Sequence, residues 1–150
     1  MGMDPDAILA FGIDIGGEES EWHFKDGLKN YHSPELEDED AYIELDEIID
    51  DLFAEFAGYK DESQNKWDLV RESGLDQNRY GTYSYSGHVI NLSNYRYRSS
   101  WEARKIDSLE NPPQSEIDKL NKFIEFLDSK GLVLKSEFRK PSWLLLPFYG

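Results

Sequence analysis

The chain predicts an α+β fold, a single antiparallel sheet with two helices on one face, and three observations carry that prediction. Apolar residues recur at helical spacing in two separate stretches, Ile43 to Phe56 and Ile117 to Leu127. Between them, from Trp67 to Ser99, the pattern shortens to strand-like alternation rich in Tyr, Val and Ile. Apolar runs near both ends, Ile8 to Ile13 and Trp143 to Tyr149, have the length of buried strands.

Taken in order, the run Ile8 to Ile13 is bounded by Asp4-Pro5 and Gly16-Gly17, which predicts one core strand stopped by glycines. From Glu18 to Asp40 the chain is polar, an acidic elaboration on a single domain spanning 1–150, with Trp22 and Phe24 anchoring a short strand or an ordered loop. From Asp40 to Phe56 the positions Ile43, Leu45, Ile48, Ile49, Leu52, Phe53 and Phe56 share one helical face. Glu37, Asp38, Glu39 and Asp40 precede or enter its first turn, where the positive end of the helix dipole favours anions.

Trp67, Leu69 and Val70 read as the start of strand structure. Tyr80 to Tyr85 and His88 to Leu92 then read as two antiparallel strands about a turn at Ser84 to Gly87. The second strand continues through Tyr95, Arg96, Tyr97 and Arg98, with tyrosines on one face and arginines on the other. Ser115 with Asp118 resembles a capping box opening a second helix, and Gly131 supplies its stop. The terminal run after Lys140-Pro141 is a last strand, with Pro147 at its end or on a sheet edge. Strand, helix, strand, strand, helix, strand is the order of a ferredoxin-like sandwich.

At 150 residues the chain can bury roughly 70% of its unfolded surface and hold its own core. It has no cysteine, so neither disulfides nor thiolate zinc sites contribute. No apolar run approaches the ~20 residues of a membrane span, and the segment Ile8 to Ile15 carries Asp14 and lacks a basic flank, unlike a signal peptide. The expectation is a cytoplasmic protein with no membrane partner.

Charge is the strongest functional signal. Formal net charge is −15, and its distribution is uneven: Met1 to Lys66 holds 20 acidic and 4 basic residues, Trp67 to Gly150 holds 11 and 12. Such a field repels nucleic acid and attracts basic surfaces. The first helix concentrates it, with Glu44, Glu47, Asp51 and Glu55 outward, Asp50 beside them, and no Lys or Arg between Lys29 and Lys60. Like charges at i,i+4 cost a helix roughly 0.2–0.5 kcal/mol per pair. Glu44, Glu47, Asp50, Asp51 and Glu55 are therefore the candidate residues for binding a basic surface on another protein, without an enzymatic role and without direct nucleic acid contact.

A second candidate site gathers Asp14, Gly16, Gly17, Trp22 and His88. The segment Phe11-Gly12-Ile13-Asp14-Ile15-Gly16-Gly17 looks like the first phosphate-binding segment of actin-like and sugar-kinase ATPases, and like the first metal-binding strand of RNase H-like nucleases. The ATPase reading fails on length. The nuclease reading needs further carboxylates on later strands, where Tyr, Arg, His and Leu stand instead. The plainer alternative is a turn after a core strand. His23, His32 and His88 have no metal-ligand spacing, so neither metal nor other cofactor is indicated. The aromatic and basic residues Tyr95 to Trp101 could stack bases, but in an acidic chain the tyrosines are expected to pack inward.

Three segments together resemble a family of small proteins encoded by bacteriophages of actinobacteria. They are Phe11 to Gly17 with Trp22 beyond, Tyr80-Gly81-Thr82-Tyr83-Ser84-Tyr85-Ser86 leading into His88 to Leu92, and Lys140-Pro141-Ser142-Trp143-Leu144-Leu145 ending in Tyr149-Gly150. The resemblance spans nearly the whole chain and implies a phage or prophage protein acting inside a bacterial cell. It implies no catalytic residues. An acidic protein in that setting is expected to meet a basic surface of a host or phage protein, and to inhibit by mimicking nucleic acid where that surface normally binds it.

Overall fold

The computed structural model describes residues 6–16, 22–24, 45–82, 85–99, 109–134 and 139–148. In chain order the elements are β1 (Asp6–Gly16), β2 (Trp22–Phe24), α1 (Leu45–Phe56), α2 (Lys66–Glu72), β3 (Leu75–Thr82), β4 (Tyr85–Ser99), α3 (Gln114–Ser129), β5 (Leu132–Leu134) and β6 (Ser142–Phe148). The class is α+β. β6, β1, β4 and β3 lie side by side in that order, each successive pair antiparallel, and β3 meets β6 in parallel at a single position. β2 and β5 form a separate two-stranded antiparallel pair.

Alternation along β1 decides where the core lies. Phe11, Ile13 and Ile15 point to one face and meet Ile90 and Leu92 of β4, all of them buried. α1 and α3 pack on that face through Ile48, Ile49, Leu52 and Phe53 and through Leu120, Phe123, Ile124 and Leu127. Each such side chain contributes roughly 1.5–3 kcal/mol by leaving water. Phe123 sits edge-on between Phe53 and Phe56, with ring centroids 5.8 and 5.0 Å away.

The opposite face carries Ile8, Ala10, Val89 and Leu146, a buried cluster drawn from strands alone. It is buried because the sheet curls until β3 reaches β6 at one position, Gly81 opposite Phe148, closing a small barrel. The tight curl leaves no room at Gly12, where a Cβ would stand 2.3 Å from the Ile90 carbonyl oxygen and 2.8 Å from Asn91 Cα. Just beyond it, Ala10 pairs with Arg96 while Gly12 pairs with Asn91, so β4 bulges over the residues between. The Ser93 amide and hydroxyl both donate to the Gly74 carbonyl, at 3.0 and 2.9 Å, pinning the bulge to the junction of α2 and β3.

Several local expectations are corrected. Trp67 to Val70 is helical, because Asn65 Oδ1 accepts from the Trp67 and Asp68 amides at 3.1 and 3.2 Å and so nucleates α2. α3 begins at Gln114 on the Pro113 carbonyl, which accepts from the Glu116 and Ile117 amides, so the Ser115 capping box does not open it. Thr82 pairs with Tyr85, which leaves the hairpin connection to residues 83 and 84, outside the described set, and places Ser86 and Gly87 within β4. The element order also gains α2 and β5, while Trp22–Phe24 forms the short strand that is one of the two readings of the stretch Glu18 to Asp40. Other expectations stand: Gly131, at φ 83°, follows α3, and Pro147 is on a strand that is an edge except where Phe148 meets Gly81. No helix among the described residues is long and apolar enough to cross a membrane.

Arg139 holds the approach to β6 against the end of α3. Its Nη1 and Nη2 donate to Asp128 Oδ1 and Oδ2 at 2.8 and 2.5 Å. Those hydrogen bonds from Arg139, with its charge, hold the Asp128 carboxyl below its ordinary range against a small opposing effect of burial. A depressed folded-state value stabilises above the ordinary aspartate value and is lost as pH falls through the folded one. Because both side chains are over a third exposed, the contribution stays below about 1 kcal/mol. Arg139→Ala is therefore expected to lower the melting temperature at pH 7 by no more than about 4 °C, and the gap from the parent should close as acid protonates the Asp128 carboxylate in the folded state. A gap unchanged by acid would contradict this assignment. Separately, Gly12→Ala should cost about 3 kcal/mol in urea unfolding, because its new methyl meets backbone on β4.

Candidate functional site

α1 displays acidic residues from a fixed support. Its inward residues are locked into the core, while Asp51 and Glu55, one turn apart, are exposed and Asp50 is half-buried. Glu44 lies outside the described residues, and Glu47 is in the first turn of α1. The charge is not left wholly to an external partner: Lys130 Nζ, following α3, lies 2.5 Å from Glu55 Oε1. Asp50 turns toward a groove that also holds cations. Of the five residues read from sequence, the described side chains are those of Asp50, Asp51 and Glu55.

Of the second candidate site, Asp14 and His88 fall on opposite faces of the sheet. Asp14 pairs with Val89 and Gly16 with His88, with an irregularity between. Asp14 faces the side of the sheet that carries Val89, while His88 is buried on the side of Ile90, with Gln77 Nε2 3.3 Å from its Nδ1. Trp22 belongs to β2 opposite Leu134, and Gly17 lies outside the described residues. Asp14 itself is engaged locally. Tyr80 Oη lies 2.8 and 2.9 Å from its two carboxylate oxygens, and the Gly16 amide donates to Oδ1 at 2.8 Å. Tyr80 reaches it by lying across Gly87, its cross-strand partner, where an added Cβ would fall 2.3 Å from the ring. This arrangement fits a structural carboxylate that ties β1 to β3 across β4. Among the described residues, no three His, Asp or Glu gather as a metal site.

A third place was not read from the sequence. Between α1, α2 and β3 lies a groove of about 670 Å³, within the range of small-molecule sites. Lys66, Arg71, Arg79 and Arg96 line it, together with the carboxylates Asp50 and Asp76. Trp67 stands at its edge, 71% exposed, with Lys66 Nζ 5.9 Å from its ring centroid. Arg71 makes only a loose pair with Asp68, at 3.6 Å between largely exposed side chains. The β4 bulge brings Arg96 into this lining, since it follows the loop pinned to Gly74. Two signals could have found the groove: Asn65 three residues before Asp68 as a helix start, and a Trp on a helix with no buried residue.

Tyr80→Phe removes the phenol from a half-buried carboxylate and is expected to cost about 1–3 kcal/mol in urea unfolding. A loss below a few tenths would mean that Asp14 is satisfied without Tyr80. Comparison with protein-family models, with curated proteins and with solved structures finds no match.

Proposed function

We propose that this chain is a non-enzymatic interaction protein that presents the outer face of α1 to a basic surface on another protein. The observation that carries this reading is Asp51 and Glu55 exposed on a helix whose other side is locked into the core. A rigid display of charge keeps the entropy of ordering low on binding, and the surrounding excess of acid steers a cationic partner toward it. The resemblance to phage-encoded proteins supports a bacterial interior as the setting, where a basic surface that ordinarily holds nucleic acid is the natural target. Binding there would inhibit by mimicry. The alternative, a nucleotide- or metal-dependent site at Asp14, has less support because that carboxylate is engaged by Tyr80 and Gly16.

The ferredoxin-like description belongs to the same proposal. What supports it is that β1 is followed by helix and then β3, β4 by helix and then β6, and the two crossovers interleave in the order β6, β1, β4, β3.

Affinity capture from bacterial lysate at low ionic strength, followed by binding measurements on the recovered protein, tests the function. The partner is expected to be basic, to be displaced by DNA, and to bind at least tenfold more weakly to the double variant Asp51→Lys, Glu55→Lys. Binding should also weaken steeply as salt rises. A partner indifferent to both variant and salt, or no partner at all, would remove the proposal.

A further inference from the structure

We propose that the groove between α1, α2 and β3 binds a nucleoside phosphate, its base stacked on Trp67 and its phosphate held among Lys66, Arg71, Arg79 and Arg96. The cations come from α2, β3 and β4 and meet in one lining, so the fold concentrates there what the sequence spreads over 30 residues. Against these four basic side chains the lining sets two carboxylates, Asp50 and Asp76, in a chain whose net charge is −15.

The mixture of groups selects the ligand class. A plain phosphate would use the cations and leave Trp67 idle. An acidic peptide would meet Asp50 and Asp76 as repulsive neighbours. A nucleoside phosphate uses all three features: the indole offers a stacking face, the cations take the phosphate, and a carboxylate accepts from sugar hydroxyls or a base amino group. A single exposed tryptophan is ordinary on a protein surface. Its coincidence with a cation-lined groove of ligand size is what the proposal rests on. Asp51 and Glu55 lie outside this lining, so the site stands or falls independently of the α1 interface.

Isothermal titration calorimetry on the intact chain tests it with adenosine 5′-monophosphate, adenosine, inorganic phosphate and a 12-nucleotide single-stranded DNA as probes. The nucleotide is expected to bind at least tenfold more tightly than adenosine or phosphate. Trp67→Ala and Arg96→Ala should each weaken it at least tenfold while leaving the melting temperature within a degree or two, since both side chains are exposed. An oligonucleotide that binds more than tenfold tighter than the mononucleotide, and loses that affinity in the same variants, supports the site and identifies a single strand as the source of the ligand. The proposal is overturned if neither nucleotide nor oligonucleotide binds at millimolar concentration, or if binding survives Trp67→Ala. Binding of a poly-glutamate peptide in place of the nucleotide would overturn it equally.

Discussion

Burial of β1 on both faces is the constraint on which the rest of the structure depends. A strand paired along both edges, with helices over one side and a curled sheet closing the other, must be apolar on both faces and small where the curl is tightest. Phe11, Ile13 and Ile15 satisfy the helix side; Ile8 and Ala10 satisfy the barrel side. Gly12 sits where β4 passes too close for any side chain. Beside that point β4 bulges between its pairings with Gly12 and Ala10, and the bulge is held by Ser93 on Gly74. Arg96, which pairs with Ala10 at the far end of that bulge, is one of the residues lining the groove.

The same constraint accounts for Asp14. On the barrel side a carboxylate between Gly12 and Gly16 must be solvated or bonded, and a half-buried one needs a donor close by. Tyr80 supplies it from β3, with Gly87 clearing the path for the ring. The Gly-rich segment that resembles a phosphate-binding strand therefore has a sufficient structural explanation in the chain's own packing. Gly12 answers to backbone approach, and Gly16 takes a φ of 81° that favours glycine.

How much was legible depends on how far each feature relies on local pattern. α1 and α3 were readable because amphipathic spacing over three or more turns is set by the face that must be buried, and Ile48 to Phe53 and Leu120 to Leu127 hold that face without interruption. β6 was readable as an apolar run. α2 was not, because seven residues with none buried carry no periodic signal, and Trp67, Leu69 and Val70 suit a strand as well as a helix. The local determinant was Asn65 acting as an N-cap. β5 was too short to stand out. The groove was illegible for a different reason: its four cations lie in a stretch of balanced charge and converge only when the β4 bulge and the α2 to β3 turn are both in place.

Charge asymmetry in the sequence is partly resolved by the fold itself. Glu55 of the acidic half meets Lys130 of the other, and Asp50 joins a lining whose cations all lie from Lys66 onward. Exposed pairs of this kind contribute little stability, roughly 0–1 kcal/mol each, so their larger effect is on what the surface shows to others. α1 thereby divides two electrostatic environments, acidic on its outer face at Asp51 and cation-rich on the side where Asp50 enters the groove. A net charge of −15 describes neither side. A molecule arriving within a Debye length responds to the local arrangement, so a basic protein and a small anion can each find a favourable approach on opposite flanks of one helix.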